Sequence, residues 1–341
     1  MASDGVMLLQ GEEVNELLMG QEAAILDAVK RAYQIHACHQ TDMPPDGFLR
    51  FPGKERERII AKVAYLGGDF DVAGIKWVSS FPGNLELGLE RASAALILNS
   101  TETGRPMAMM ESSIISARRT GAGAALAARH LCPQERVTSL ALVGCGLINF
   151  ETLRFLLSVY PMIETVHLYD LSAERAQQFC RKARQLAPEV HCEVQATFEA
   201  ALKTSPIVAM ATTAVTPHID SLTGHQDHAV VLHTSLRDFS PQLIRQGDNV
   251  VDDIDKVCSN QTSVHLAAEQ AGNHDFIRTT IGDILNGDAP ELDETKPFVI
   301  YSPFGLGILD IAVAHVTYQL AKEQQVGMSF ESFLPKSWLE R

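Results

Sequence analysis

Hydrophobic residues in the first third of the chain follow first a helical and then a strand-like pattern. Apolar side chains recur at helical spacing between residues 14 and 38, which predicts a helix with one buried face, broken near Gly20. A proline-rich loop follows at residues 43–47, and short apolar runs then alternate with turns. Such runs predict a mostly antiparallel sheet. They lie at residues 59–65, 73–78 and 94–98, and a further apolar run follows at 107–110.

The pattern changes after residue 112. Residues 112–131 predict one long alanine-rich helix that ends near Pro133 and has no linker character. Beyond it, six short apolar runs are separated by helical or loop segments, the pattern of a doubly wound parallel sheet. A last helix is predicted at about residues 308–325. The six runs are residues 139–143, 165–169, 191–194, 207–211, 230–233 and 249–251.

A glycine-rich turn joins the first of these runs to an amphipathic segment. Gly144 permits a tight turn, and Gly146 lets the backbone approach a pyrophosphate at the positive end of the following helix. Asp170, which ends the second run, would accept hydrogen bonds from a ribose and repel a 2′-phosphate, so NAD is favoured over NADP. Asn149 replaces the usual third glycine and implies a slightly wider helix–strand spacing. The alternative is an ordinary strand-to-helix turn. The residues predicted here to bind NAD are Gly144, Gly146, Leu147, Ile148 and Asp170.

Length and composition indicate a globular protein of about two domains. The chain has 341 residues, of which 46% are hydrophobic and 21% charged. We predict an α/β fold, with a Rossmann-like doubly wound parallel sheet at residues 126–311. A discontinuous α+β domain would combine residues 1–125 and 312–341.

The net charge and the spacing of the cysteines limit the classes of partner and the cellular location that the sequence predicts. The net charge of −14 disfavours nucleic acid and anionic membranes, which need a basic face. The six cysteines show no paired spacing and indicate reduced cytosolic thiols. No signal peptide or membrane span is expected, so the cytoplasm is the predicted location. The twelve histidines form no His-Glu-x-x-His array, and no metal site is predicted.

Two basic side chains suit a site for a small acid. Lys76 lies within an apolar run, opposite in direction to Ile75 and Trp77. If it faces a pocket, desolvation lowers the pKa of its amine, which suits acid–base catalysis. The alternative is a solvent-facing lysine. Arg119 suits bidentate binding of a carboxylate, and the alternative is a surface pair with Arg118.

Polar residues also follow the fourth and fifth parallel runs. Ligands of such sheets bind outside the carboxyl ends of the strands, which suits Asp238 to orienting or activating water. Its alternative role is to cap a helix that begins near Ser240. Thr212 and Thr213 end the fourth run, where their hydroxyls suit contact with a cofactor ribose, and a simple turn is the alternative.

Several blocks, taken in order, resemble the ornithine cyclodeaminase/mu-crystallin family over nearly the whole chain. They are Gly74-Ile75-Lys76-Trp77-Val78, Thr103-Gly104-Arg105-Pro106, Arg119-Thr120, Gly144-Cys145-Gly146, Asp238, Ile281-Gly282-Asp283, and Ser302-Pro303-Phe304-Gly305-Leu306-Gly307 leading to Asp310. The resemblance implies a homodimer in which the first domain binds substrate and pairs the subunits, while the second holds NAD.

The resemblance also implies roles for individual residues. Lys76 is similar to the family's substrate-binding acid–base lysine, and Arg119 to the arginine that holds a substrate carboxylate near the cofactor. Asp238 resembles the aspartate that handles the proton of the attacking water or amine, although many relatives have Gly-Ala before it and this chain has Leu236-Arg237. The further substrate-binding residues implied are Arg50 and Arg91. The further cofactor-binding residues are Arg119 itself, Ser93, Thr212, Thr213, Ser235 and Phe304.

Within the family, the block Glu90-Arg91-Ala92-Ser93 resembles the branch that releases 2,3-diaminopropionate in siderophore biosynthesis. Other relatives usually carry threonine where Arg91 stands. The implied reaction is NAD-dependent oxidative cleavage of N-(2-amino-2-carboxyethyl)-L-glutamate, an amino-acid-derived substrate with three carboxylates, to L-2,3-diaminopropionate and 2-oxoglutarate. The alternatives are an ornithine cyclodeaminase, a ketimine reductase or alanine dehydrogenase, and a crystallin-type protein that binds the dinucleotide without turnover.

Overall fold

The structure, a computed structural model, describes residues 5–132, 137–336 and 338–340. Residues 1–4, and Pro133 at the predicted end of the long helix, lie outside this description. The chain forms two compact units, one that runs to Arg119 and resumes at Leu306, and one that spans Thr120–Gly305.

The helices and strands have the following bounds. The strands are β1 (Val6–Leu9), β2 (Thr41–Asp42), β3 (Gly47–Phe51), β4 (Lys54–Leu66), β5 (Val72–Ser80), β6 (Ala92–Ser100), β7 (Pro106–Glu111), β8 (Ser139–Val143), β9 (Thr165–Tyr169), β10 (His191–Val194), β11 (Ile207–Met210), β12 (Ala229–His233), β13 (Asp248–Val251), β14 (Ile277–Thr280), β15 (Phe298–Ser302) and β16 (Met328–Phe330). The α-helices are α1 (Gly11–Leu17), α2 (Glu22–Ala37), α3 (Ser113–Leu131), α4 (Leu147–Val159), α5 (Ala173–Leu186), α6 (Phe198–Leu202), α7 (Pro241–Gln246), α8 (Ile254–Val257), α9 (Ser263–Ala271), α10 (Ile281–Asn286) and α11 (Gly307–Gln324).

The first unit is built on a mostly antiparallel sheet, as predicted. Its strand order is β16-β1-β7-β6-β5-β4-β2, and β3 pairs with β4. Only β1 and β7 pair in parallel among the described strands of this sheet. The helical pattern at residues 14–38 is two helices, α1 and α2, separated near Gly20, which has a φ of +72°. The long helix α11 packs on β4 and β5 and against α2, so it covers one face of the sheet.

The second unit is a parallel sheet of eight strands, in the order β10-β9-β8-β11-β12-β15-β13-β14. All six predicted runs are strands of it. The prediction missed β14 and β15, of which β15 is fully buried between β12 and β13. From β8 the chain proceeds first to β9 and β10 on one side and then to β11 on the other. Ligands of doubly wound sheets bind at such a change of direction, where the loops after β8 and β11 diverge.

None of the helices in the described part of the chain combines the length and apolar character that crossing a membrane requires.

Candidate active site

The glycine turn after β8 has the geometry of a dinucleotide-binding turn. Gly144 has a φ of +91°, and a Cβ there would lie 2.4 Å from the carbonyl oxygen of Ala211. Gly146 is the N-cap of α4 and makes no side-chain capping bond. A Cβ on Gly146 would meet only Nη2 of Arg175, at 3.8 Å, among the atoms of the described residues within 4 Å. The fold therefore requires a glycine at 144, whereas at 146 the small residue keeps space free for a phosphate at the helix N-terminus.

Asp170 and Asn149 hold this turn in place. The Asp170 carboxylate accepts hydrogen bonds from the backbone N–H of Cys145 (2.8 Å) and of Ser172 (2.9 Å). A carboxylate has about four acceptor positions, so capacity remains for a ribose diol. The buried Asn149 amide donates to the carbonyl oxygens of Val143 (2.9 Å) and Gly144 (2.7 Å). Asn149 thus ties the helix to the strand by hydrogen bonds where a third glycine would do so by close packing.

Replacing Gly144 or Gly146 by alanine is expected to have different effects on stability and on NAD binding. Gly144→Ala is expected to destabilise the fold by about 1–3 kcal/mol, because of its left-handed φ and the contact with Ala211. Gly146→Ala is expected to leave the urea midpoint of unfolding unchanged and to weaken NAD binding about tenfold, since its Cβ intrudes only on the ligand's space. Calorimetric titration with NAD and urea unfolding of both variants measure the difference. Equal loss of stability in both would contradict this assignment of the space beside Gly146.

Asp238 lies at the same carboxyl edge of the sheet, buried among three donors. Its carboxylate accepts hydrogen bonds from Nε2 of His233 (3.1 Å) and from the hydroxyls of Ser235 and Thr212. The alternative of a helix cap is wrong, because Ser240 itself caps α7 through the backbone N–H of Leu243. The structure thus groups the predicted Thr212, Ser235 and Asp238, whereas Thr213 is exposed in the following loop.

These contacts hold the Asp238 carboxylate in its ionised form. Burial alone would raise its pKa, but the hydrogen bond from His233 and the positive charge that His233 carries in acid, followed by the bonds from Ser235 and Thr212, lower the pKa to about 2. Burial lowers the pKa of His233. A carboxylate only accepts, so Nε2 of a neutral His233 carries the proton and Nδ1 accepts from Ser302 at 3.2 Å. Asp238 is therefore a fixed negative charge and a weak base at neutral pH. His233 and Ser302, which support it, were missed in the sequence.

Leu236, two residues before Asp238, has a backbone conformation that favours glycine. Its φ is +66°, in the left-handed region that glycine adopts without a steric penalty. The Leu236 side chain is buried in the hydrophobic core of the second unit. Packing thus offsets the backbone cost of about 1–3 kcal/mol that such a conformation carries. The departure from Gly-Ala leaves Asp238 hydrogen-bonded in the same loop.

Asp252 fixes the backbone of the predicted cofactor-binding Phe304. Its buried carboxylate accepts from the N–H groups of Phe304 (2.8 Å) and Gly305 (2.7 Å). Burial raises the pKa of Asp252 to about 6, although these backbone bonds lower it in part. In the sequence, Asp252 belonged to an acidic run after β13 that indicated only a strand end and a helix start.

A second charged cluster lies in the first unit, where α11 covers β5. Nζ of Lys76 donates to Oδ2 of Asp310 at 2.6 Å and to Oγ of Ser116 at 3.0 Å. Nε of Arg119 donates to Oδ1 of Asp310 at 3.1 Å. Lys76 is 2% exposed and Asp310 is fully buried. The strand alternation was therefore interpreted correctly, and the alternative of a solvent-facing Lys76 is wrong.

Burial makes the Lys76 amine available as a base near neutral pH. Desolvation lowers its pKa to about 7, against the opposing charge of Asp310, and Arg119 and Lys62 lower it further. The pKa of Asp310 is lowered, since burial, which raises it, is outweighed by the charges of Arg119 and Lys76. Asp310 is the principal residue of the site that was not predicted from the sequence. It was noted only as the end of the last sequence block that resembles the family.

The two adjacent arginines at the start of α3 have different partners. Arg118 and Arg119 are both buried, so the alternative of a surface pair is wrong. Arg118 donates to the carbonyl oxygen of Leu18 and to Oδ1 of Asn15, which makes it structural. Arg119 joins the cluster of Lys76 and Asp310.

Three other predicted residues are not brought into that cluster. Arg50 is exposed on β3, on the same sheet face as Lys76, with its guanidinium 5.6 Å from the ring centre of Phe48. Arg91 is half-buried, and burial followed by the charge of Arg56 lowers its pKa. Ser93 pairs with Ser79 in register on the opposite face from Lys76. Among the residues that the structure describes, no three histidine, cysteine or acidic side chains form a group able to hold a metal ion.

The parallel sheet, its change of strand direction and the Gly144–Gly146 turn define a dinucleotide-binding α/β protein. The model of the ornithine cyclodeaminase/mu-crystallin family matches residues 5–325, and the chain belongs to this family. It is an NAD-dependent oxidoreductase that acts on a CH–NH bond, and NAD is its cofactor.

Relatives of several activities cover nearly the whole chain. It is 28% identical over 334 residues to the N-((2S)-2-amino-2-carboxyethyl)-L-glutamate dehydrogenase of Staphylococcus aureus, covering 96% of this chain and 99% of that protein. It is 30% identical over 337 residues to the alanine dehydrogenase of Archaeoglobus fulgidus, covering 96% and 98%. An archaeal alanine dehydrogenase dimer with bound NAD is similar in structure, with a TM-score of 0.83 and 27% identity over 96% of this chain and 99% of that one. The Δ1-pyrroline-2-carboxylate reductase of Thermococcus litoralis, solved with NADH and L-proline, shares the fold, with a TM-score of 0.87 and 22% identity over 95% and 99%.

Proposed function

We propose that the protein oxidises N-(2-amino-2-carboxyethyl)-L-glutamate and releases L-2,3-diaminopropionate and 2-oxoglutarate. The observation that carries the proposal is the buried Lys76 amine, which has a pKa of about 7 and shares the Asp310 carboxylate with Arg119. The Staphylococcus aureus relative, which bears this substrate in its name, supports the choice. The basic residues of this sheet face suit a substrate with three carboxylates better than alanine, which has one.

In this proposal Lys76 moves the protons of the reaction. The substrate's secondary ammonium gives a proton to the neutral Lys76 amine, so that the nitrogen lone pair becomes available. Bound NAD⁺ would supply the acceptor for the hydride of the glutamyl Cα. Water then adds to the C=N carbon and loses a proton, and transfer of a proton to nitrogen breaks the C–N bond. In sum, the substrate loses one hydride and one proton, and one water is consumed.

Arg119 and Asp238 have fixed charges in this proposal. Arg119 binds the glutamyl α-carboxylate, and its bond to Asp310 fixes the plane of its guanidinium. Asp238 remains ionised, as its pKa of about 2 requires. An ionised Asp238 is therefore suited to orienting water and stabilising positive charge, rather than to removing a proton itself.

We further propose a homodimer that uses the outer face of the first unit's sheet. This face, opposite that of Lys76, exposes the large hydrophobic side chains of Leu49, Val63, Tyr65 and Trp77, of which Trp77 is 46% exposed. Contiguous exposed apolar surface indicates an interaction site. The dimeric archaeal alanine dehydrogenase supports pairing of subunits.

Product analysis tests the reaction. The protein with NAD⁺ and N-(2-amino-2-carboxyethyl)-L-glutamate is expected to accumulate NADH, diaminopropionate and 2-oxoglutarate in equal amounts, measured by absorbance and mass spectrometry. Ornithine, alanine, and Δ1-pyrroline-2-carboxylate with NADH serve as competing substrates. Proline from ornithine without net NADH would establish a cyclodeaminase instead. Faster turnover of alanine, or of the cyclic imine, would establish one of the other dehydrogenase chemistries.

A further inference from the structure

A second lysine faces Lys76 across the sheet. In the β4–β5 register, Lys62 lies directly opposite Lys76, so both side chains emerge on the face that α11 covers. A Cβ on Gly307, the first residue of α11, would lie 3.6 Å from Cβ of Lys62. The charge of Lys62 contributes to lowering the pKa values of both Lys76 and Asp310. Lys62 therefore belongs to the immediate surroundings of the acid–base lysine.

Like charges directly opposite on one sheet face are destabilising, so this pair requires an explanation. Each lysine has its own carboxylate. Nζ of Lys76 contacts Asp310, and Nζ of Lys62 contacts Oδ2 of Asp46 at 2.7 Å. Both side chains of the Lys62–Asp46 pair are 11% exposed, so the pair is largely withdrawn from water yet still accessible. Ion pairs withdrawn from water contribute little net stability, so stability alone does not explain why this pair is present.

We propose that Lys62 and Asp46 form a subsite for a zwitterionic α-amino-acid group on the substrate's nitrogen substituent. The ammonium of Lys62 would bind the carboxylate of that group, and the Asp46 carboxylate would bind its ammonium. This inference rests on the proposed function, in which Lys76 and Arg119 act on the glutamyl part. It narrows the substrate class to secondary amines that carry a free amino-acid end.

The dimensions agree with this assignment. Neighbouring strands are about 4.8 Å apart, so the Lys62 pair lies one strand away from the lysine that acts on the secondary amine. In the 2-amino-2-carboxyethyl group, the α-carbon is two bonds from that nitrogen. The carboxylate and the ammonium of this group would thus lie beside Lys62 and Asp46, one strand away from the reacting nitrogen. Neither alanine nor a cyclic imine offers a second amino-acid end to this pair.

Three ligands separate the roles of the two side chains. They are the full substrate, N-(2-carboxyethyl)-L-glutamate, which lacks the primary amine, and N-(2-aminoethyl)-L-glutamate, which lacks its carboxylate. For the unaltered protein, kcat/KM is expected to fall about thirtyfold with each truncated ligand. Asp46→Asn should lower kcat/KM for the full substrate by a similar factor but leave the ligand without the amine unaffected. Lys62→Gln should do the same for the ligand without the carboxylate when kcat/KM is measured well above the Lys76 pKa of about 7, where Lys76 is neutral with or without the charge of Lys62.

A matched ion pair provides the control. Arg278 and Asp248 in the second unit pair at 2.8 Å with side chains that are 12% and 2% exposed. Arg278→Gln should preserve the ratios of kcat/KM among the three ligands. Equal losses for all three ligands in Asp46→Asn or Lys62→Gln, or no loss with the full substrate, would overturn the subsite.

Binding measurements distinguish failure of the subsite from failure of the reaction. Calorimetric titration of the NADH-loaded protein with the same three ligands should show the same discrimination, without turnover. Discrimination in binding without diaminopropionate release would overturn the proposed reaction and support the subsite. Turnover of the full substrate without discrimination would overturn the subsite alone.

Discussion

Lys76→Met is expected to lower kcat for oxidation of the glutamyl substrate by about three orders of magnitude. Methionine retains much of the side-chain length but cannot accept the proton of the secondary ammonium. The remaining Asp310 carboxylate still pairs with Arg119 at 3.1 Å, so the melting temperature should be nearly unchanged. Steady-state kinetics with thermal unfolding of the same preparation measure both effects. The control is Lys182→Met, a change of an exposed lysine on α5. This variant should retain full activity. Undiminished turnover by Lys76→Met would remove Lys76 from the chemistry.

The pH dependence provides a second measure of the same group. Because the pKa of Lys76 is lowered to about 7, the amine is neutral above that pH and protonated below it. We therefore expect kcat/KM to rise with pH through about 7 and this limb to disappear from the residual activity of Lys76→Met. The linkage to stability has the same sign. Between pH 7 and the usual lysine pKa of 10.5, the unfolded chain binds more protons than the folded one, so this group makes stability increase with pH.

Asp310→Asn is expected to destabilise the protein by about 3–5 kcal/mol, measured by urea unfolding. The fully buried carboxylate balances two cations, and asparagine would leave both Lys76 and Arg119 without their counter-charge. Since the charge of Asp310 raises the pKa of Lys76, its loss should also move the activity limb to lower pH.

A double-mutant cycle separates charge balance from packing in this variant. In a Lys76→Met background Asp310 keeps its bond to Arg119 but has lost its bond to Lys76, so Asp310→Asn should cost about 1–2 kcal/mol less there than in the unaltered protein. The Asp248–Arg278 pair, changed by Asp248→Asn, is a control that should show no coupling to Lys76→Met. Strictly additive costs for Asp310→Asn and Lys76→Met would mean that the buried charges do not interact.

The central parallel strands β8, β11, β12 and β13 were predictable because they are buried on both faces and therefore appear as short, largely apolar runs. The missed strand β15 has the same character, but it adjoins the Ser302–Gly307 block, which was interpreted only as a motif. Its position between β12 and β13 could not be predicted, because sheet order is set by long-range packing rather than by local sequence.

The candidate site was predictable where its residues carry a local pattern. Alternation along β5 placed Lys76 on the buried face, and the same alternation within the run at 59–65 could have identified Lys62. Asp310 offered no such pattern, because it follows Lys76 by 234 positions. The support of Asp238 by His233 and Ser302 likewise depends on β12 and β15 being neighbours.

The sequence by itself determined the dinucleotide turn, since Gly144, Gly146 and Asp170 lie within one contiguous strand–helix–strand segment whose geometry is local. The tertiary structure decided the chemistry of the charged groups. Lysine, arginine and aspartate side chains have ordinary pKa values in an extended chain. Only burial under α11, which removes water and brings Asp310 to Lys76 and Arg119, makes one amine a base near neutral pH.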